Sequence, residues 1–296
     1  MPLYIKPGHP AINELSEEGI KVFTYKDLKD SYAFLKIGLL NLMPLKQRTE
    51  KDFFRLLSNT DKKIKLDLIE TSSYRGTHTS SLHLDAFYTP WDAIKHNHYD
   101  GFIVTGAPVE EMDFEEVKYW EEICRILEWC NANVRASLFI CWGAQAALYH
   151  YYNVQKYKLK GKLSGVYEHR VNYSYEPLME GITTPFNVPH SRNTAIAKAD
   201  ISICPDLRII AESDEAGVHC VMNIDGTRIF LTGHSEYASD TLDFEYHRDL
   251  QKGLSPNIPQ HYYVDDNPIN DYVDLWKKDG RRLFANWINH YVHHSN

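Results

Sequence analysis

Cys141 lies in SLFICWGAQAA, where a short apolar run passes into a segment of helical period and small residues follow at Gly143, Ala144, Ala146 and Ala147. A sharp strand-to-helix turn needs such neighbours. It lifts one side chain above the carboxyl edge of a sheet and aims the free N–H groups of a helix start at whatever bonds to it. Those groups and the positive end of the helix favour a thiolate. A thiolate nucleophile needs a base, and the base needs a group that orients it. The stretch FLTGHSEY at 230–237 offers both, with Glu236 two residues beyond His234. An extended backbone turns both side chains the same way, so the carboxylate can hold the imidazole in one tautomer. A thioester or amide attacked by Cys141 develops an oxyanion. Its expected donors are the Trp142 amide and an amide of Gly106 or Ala107 in the TGAP turn at 105–108.

The elements that must position these residues follow from periodicity. FLKIGLLNLM at 34–43, KIKLDLIET at 63–71, DGFIVTGAP at 100–108 and SLFIC at 137–141 are expected strands. Helical spacing appears at Thr49–Asn59, at 115–130 and in WGAQAALYHYY. Strand-then-helix repetition predicts an α/β fold with a mostly parallel sheet flanked by helices, and catalytic residues gathered at the carboxyl ends of strands. Short strands are expected at 208–213, 218–224 and 228–234, the last two joined as a hairpin by Asp225-Gly226. A helix over 241–254, capped by Ser239 or Asp240, and a C-terminal helix complete the reading. Residues 1–34, irregular and holding Pro2, Pro7, Gly8 and Pro10, are expected as an arm, with 35–296 as one catalytic domain.

Composition limits the function classes. The chain has 296 residues and a formal charge of −8, which leaves no electrostatic footprint for nucleic acid or an anionic membrane surface. No apolar stretch approaches the roughly 20 residues of a membrane span, and the opening lacks the pattern of a secretory leader, so the expected location is cytoplasmic. The five cysteines, Cys124, Cys130, Cys141, Cys204 and Cys220, form neither a disulfide framework nor a zinc ribbon. His290, His293 and His294 share a helical face without a carboxylate or thiol partner in sequence, and no metal is expected. His169 and His190 read as satisfied polar residues near the site.

Taken together, FICxGxQ at 139–145, TGAP at 105–108 and GHxE at 233–236 resemble the class I glutamine amidotransferase-like (flavodoxin-like) fold. NLMPLKQRTE at 41–50, KLSGVYEHRV at 162–171, PHSR at 189–192 and TGHSEYASDTLDFEYHRD at 232–249 are similar to the homoserine O-acyltransferases of methionine biosynthesis. That resemblance implies an acyl-CoA donor, L-homoserine as acceptor, and an acyl thioester on Cys141, with His234 as general base and Glu236 as its partner. It implies substrate binding by Lys162, Ser191 and Arg248, the last able to fork onto a carboxylate. Lys46 is expected near the acyl oxygen or the CoA phosphates. No cofactor is implied beyond acetyl-CoA as a substrate. A homodimer is expected from the resemblance and from the frequency of C2 pairs.

Glu110 occupies the position that, by the same resemblance, selects the acyl group, an acidic residue going with acetyl and glycine with succinyl. Bringing a succinyl carboxylate to about 4 Å from Glu110 would cost roughly 4 kcal/mol at an effective dielectric near 20, whereas acetyl carries no charge. Glu111 adjoins it. The expected activity is L-homoserine O-acetyltransferase. The alternatives are an O-succinyltransferase, a Cys-His-Glu hydrolase acting on glutamine, and a catalytically silent binding protein.

Overall fold

The computed structural model describes residues 3–28 and 33–293. In chain order the elements are β1 (Leu3–Ile5), α1 (Ala11–Glu17), β2 (Val22–Thr24), β3 (Leu35–Leu40), α2 (Lys46–Leu57), β4 (Ile64–Glu70), α3 (Ser81–Phe87), β5 (Tyr88–Pro90), α4 (Trp91–Ile94), β6 (Tyr99–Val104), α5 (Trp120–Asn133), β7 (Val134–Ile140), α6 (Trp142–Tyr152), β8 (Lys156–Val171), β9 (Phe186–Ile196), α7 (Lys198–Ser202), β10 (Leu207–Ser213), β11 (Gly217–Asn223), β12 (Arg228–Leu231), α8 (Thr241–Gln251) and α9 (Lys277–Trp287). They build a 12-stranded sheet in the order β2-β1-β4-β3-β6-β7-β12-β11-β10-β8-β9, with β5 pairing β4 outside that path. From β2 across to β12 every neighbouring pair is parallel; from β12 onward every pair is antiparallel.

Strands buried on both faces explain the continuous apolar runs. Successive side chains of β7 point to opposite faces, so Leu138 and Ile140 join a core with α2 and α9, while Phe139 joins another with α5 and α6. Register aligns the carboxyl ends of the central strands: Leu40 lies opposite Val104, Val104 opposite Phe139, and Phe139 opposite Phe230. The loops after β3, β6, β7 and β12 therefore leave the sheet at one level, where the candidate residues lie. Among the described residues no helix is long and apolar enough to cross a membrane.

Several expectations change. The N-terminal segment, expected as an arm, contributes β1 and β2 to the sheet edge. Leu3, Ile5, Ala11 and Leu15 are buried in the same core as β3. Its strands are three residues long, too short for an alternating pattern to show in sequence. The helix expected from Thr49 begins at Lys46. The one expected over 115–130 breaks: Phe114–Glu116 form a 3₁₀ turn, and α5 begins at Trp120, where the Phe114 ring stacks on Trp120 and Tyr149. Asp240 stands at the cap position of α8 without a side-chain cap bond, its carboxylate pairing instead with Arg48 at 2.7 Å. The long β8–β9 pair was not anticipated. Its charged and polar residues, as in KYKLKGK, hide the strand pattern that tertiary packing imposes.

Candidate active site

Cys141 occupies the junction of β7 and α6 with φ 51° and ψ −116°, a conformation that costs a non-glycine residue on the order of 1–3 kcal/mol. The fold holds it there. Its amide donates to the Leu231 carbonyl at 2.7 Å, tying the elbow to β12, and its carbonyl accepts from the Gln145 amide at 3.1 Å. Gly143 lets α6 start this close to the sheet: a Cβ there would lie 2.7 Å from the Thr105 carbonyl oxygen and 2.9 Å from that of Val104. Gly106 flanks Cys141, where an added Cβ would meet Cys141 Cβ at 3.2 Å and Sγ at 3.6 Å. The backbone of the TGAP turn thus passes directly beside the sulfur. Trp142 is the first residue of α6, so its amide has no intrahelical acceptor and is available as an anion donor.

His234 stands in the loop after β12, and its Nδ1 lies 2.7 Å from Glu236 Oε1. Its amide donates to the Pro189 carbonyl on β9 at 2.8 Å, and the Tyr237 ring stacks on the imidazole at 4.1 Å between centroids. Burial alone would depress the imidazole. The negative charge of Glu236, then that of Cys141, with a hydrogen bond donated by the imidazole to each, turns the net shift well upward. Imidazole, carboxylate and sulfur thus lie together at the carboxyl edge, where His234 and Cys141 line one cleft. Glu236 Oε2 is buried without a hydrogen-bond partner among the described residues.

Cys141 and His234 open onto a cleft of about 440 Å³ that Gly106, Ala107, Glu110, Lys162, Ser191 and Arg248 also line. Residues from the TGAP turn, β8, β9 and α8 thus meet at one site. Sequence reasoning missed the acidic half of its wall. Glu245 on α8 accepts from Ser191 Oγ and from Tyr237 OH, the latter at 3.3 Å, and lies 3.5 Å from Lys162 Nζ. Asp249, one helical turn on, pairs with Lys162 at 3.4 Å and Arg248 at 2.8 Å. Burial would raise the Asp249 carboxyl, but the Arg248 hydrogen bond and the Lys162 charge bring it below its ordinary value. The signal was present in FEYHRD, whose acidic positions 245 and 249 share a helix face with each other.

Glu110 and Glu111 have separate surroundings. The Glu110 carboxylate accepts the Asn193 amide at 2.9 Å, Asn193 Nδ2 at 2.8 Å and Thr194 Oγ1 at 3.2 Å, all from β9. Glu111 pairs with the exposed Lys158 at 2.6 Å. Lys46 is absent from the lining of the Cys141 cleft. It lines a neighbouring cavity of about 130 Å³ that shares the walls Met43, Pro44, Pro108 and Val109. Its amine donates to the Asn41 carbonyl, and burial pulls its pKa down to about 8 against the opposing charges of Glu70 and Glu50. Of the C-terminal histidines, His290 pairs with Glu180 at 2.9 Å, and His294 lies outside the described residues.

Comparison with known proteins agrees with this architecture. A glutamine amidotransferase from Thermotoga maritima superposes with a TM-score of 0.60 at 13% identity, covering 89% of this chain and 100% of its own. One from Methylobacillus flagellatus gives 0.54 at 12%, covering 90% and 100%. These likenesses establish the class I glutamine amidotransferase-like fold. Sequence relatives are much nearer. Proteins named homoserine O-acetyltransferase from Bacteroides thetaiotaomicron and Bacillus cereus are each 45% identical over 99% of this chain, and 96% and 98% of their own lengths. A third, from Phocaeicola vulgatus, is 46% identical over 99% and 96%. The sequence model of the family described as homoserine O-succinyltransferase matches residues 2–296, so the chain belongs to that family of homoserine acyltransferases.

Proposed function

We propose that this protein is an L-homoserine O-acetyltransferase that carries the acetyl group of acetyl-CoA on Cys141. The observation that carries the reading is the joining of Cys141, His234 and Glu236 to a cleft whose wall holds fixed charges of both signs. His234 takes the Cys141 proton as sulfur attacks the thioester carbonyl. The amides of Trp142 and of Gly106 or Ala107 meet the oxyanion, and CoA leaves as the thiol with the proton from His234. The homoserine hydroxyl then gives its proton to His234 while its oxygen attacks the Cys141 thioester, and collapse releases the ester and the thiol. Glu236 holds the imidazole in the tautomer that both half-reactions need.

The zwitterionic acceptor suits the opposite wall, where Arg248 and Lys162 would take its carboxylate, and Ser191 with Glu245 its ammonium. Acetyl is favoured over succinyl because Glu110 faces the cleft with its charge fixed on β9. Lys46, which lines the adjoining cavity, would meet part of the donor. Nothing in this chemistry calls for a cofactor; a homodimer acting in the cytoplasm, in methionine biosynthesis, completes the proposal.

Purified protein given L-homoserine with acetyl-CoA, succinyl-CoA or no donor, and separately glutamine, tests it through released thiol and released ammonia. We expect thiol release with acetyl-CoA and loss of transfer in Cys141→Ala. Ammonia from glutamine without thiol release would identify a hydrolase instead.

A further inference from the structure

Behind the catalytic turn lie three histidines, His169 on β8, His190 on β9 and His219 on β11, each without solvent exposure and with ring nitrogens within 4.8 Å of one another. Such a group invites a metal. Its hydrogen bonds argue otherwise. Arg192 Nε, which is always a donor, lies 3.4 Å from His190 Nδ1, so that nitrogen accepts and the proton of the neutral ring sits on Nε2. His190 Nε2 is 3.2 Å from His169 Nε2, which must therefore accept, and His169 Nδ1 donates to the Tyr167 carbonyl at 2.9 Å. His219 Nδ1 accepts the Gly233 amide at 3.3 Å, which leaves its proton on Nε2. The centre thus holds two ring protons and one lone pair, and that lone pair is already used. Burial lowers the pKa of all three rings, that of His169 to about 4, which agrees with neutral imidazoles.

This array touches the catalytic turn directly. Besides the Gly233 bond, the Thr232 amide donates to the His219 carbonyl at 2.8 Å and the His234 amide to the Pro189 carbonyl at 2.8 Å. A Cβ on Gly233 would lie 2.8 Å from His190 Cε1 and 2.6 Å from Val188 Cγ1. At the far end Arg192 is itself fixed by the carbonyls of Thr194 at 2.7 Å and Ala216 at 2.5 Å. We propose that His219, packed against His169 and against a His190 whose tautomer Arg192 locks, is a positioning residue. Its Nδ1 fixes the Gly233–His234 turn and so sets the reach of the base to Cys141. The inference rests on the proposed acyltransferase reading for its catalytic consequence, though not for the geometry of the turn.

Asparagine and glutamine separate the two ring nitrogens, because an Asn Oδ1 falls near the place of Nδ1 and the Gln side-chain amide near that of Nε2. The test compares His219→Asn, His219→Gln and His219→Leu by kcat, by KM for both substrates, by the rate of Cys141 alkylation with iodoacetamide, and by thermal midpoint. Losing the acceptor should slow alkylation and kcat by about 10- to 100-fold in the Gln and Leu variants, with each KM within about twofold, while Asn stays within about threefold of the parent. Leu at the parent rate would overturn the proposal, as would Asn and Gln losing activity equally. If Leu does not fold, the Asn and Gln pair still decides. Zinc found at one ion per chain in the parent and lost in His219→Asn would make the cluster a metal centre and also overturn it. A parent that transfers no acyl group to homoserine sinks the proposed function, and the alkylation ranking still tests this inference.

Discussion

Glu110 and Asn193 are joined by three hydrogen bonds, two from the Asn193 amide to the two carboxylate oxygens at 2.9 Å and one from its side chain at 2.8 Å. The turn after β6 is thereby fastened to β9, with the carboxylate held at the cleft. Glu110→Gly removes a fixed negative charge and should let succinyl-CoA compete. If even half of the roughly 4 kcal/mol repulsion at 4 Å is relieved, the acetyl preference falls about 30-fold. Competing acyl-CoA assays at equal concentration check this. An unaltered preference would remove the charge argument.

Gly143→Ala tests the elbow. The new methyl would stand 2.7 Å from the Thr105 carbonyl oxygen, backbone that cannot swing away. We expect a stability loss of about 1–3 kcal/mol by thermal unfolding. We also expect a fall in kcat of at least about tenfold, because the Cys141 sulfur and the Trp142 amide move with the helix start.

Asp52 on α2 and Glu236, in the loop after β12, line one cavity of about 280 Å³. Burial raises the Asp52 carboxyl to about 7; the Arg55 charge opposes that shift and the Glu236 charge adds to it. Its folded value stands above the unfolded one near 3.8, so the native state binds the extra proton between those two values. The stability it contributes is complete below about 4 and lost as pH rises through about 7. Asp52→Asn should therefore match the parent near pH 4 and exceed it by ~2 kcal/mol above pH 8, measured by urea unfolding at several pH values. A gap that shrinks with rising pH would refute the assignment.

Glu50 has the opposite sign. Burial works to raise its carboxyl, but hydrogen bonds from His83, His9 and Tyr88 bring it down to about 2. The His83 Nε2 and Tyr88 OH contacts measure 3.0 and 2.6 Å, while His9 Nε2, at 3.1 Å, is off the ideal hydrogen-bond angle. Its stability is present above the unfolded value near 4.5 and lost as pH falls through 2. Glu50→Gln turns an amide toward these donors and should cost about 2–4 kcal/mol at pH 7, less as pH falls toward 2. Equilibrium unfolding across that range is the check. Because His9 precedes α1, the loss should also free the N-terminal strands, read as faster amide exchange in β1.

Much of the parallel half was legible because local rules and the tertiary answer agree there. Ile37, Leu39 and Leu40 make an apolar run that only a doubly covered strand can bury, and Gly143 after Cys141 marks the turn by its size alone. The Asp225-Gly226 hairpin was readable for the same reason, Gly226 taking φ 71°. β8 was not, since Lys158, Lys160 and Lys162 put charge at alternate positions of its first half, which stays exposed or half-buried while pairing with β9. For Lys46 the sequence showed only its place after β3; that its buried amine, among Asn41, Glu70 and Glu50, lines the adjoining cavity depends on tertiary packing.

By itself the sequence determined which side chains have the chemistry the proposed reaction needs. One thiol at a strand-to-helix turn, an imidazole with a carboxylate two residues on, and small residues where backbones must approach are choices of residue type and short spacing. What the tertiary structure alone decided is which distant segments face one another: Glu110 against Asn193, Lys162 between Glu245 and Asp249, His219 under Gly233. Such contacts depend on sheet order and register, which are set by the burial of the whole core and leave no mark at any single position.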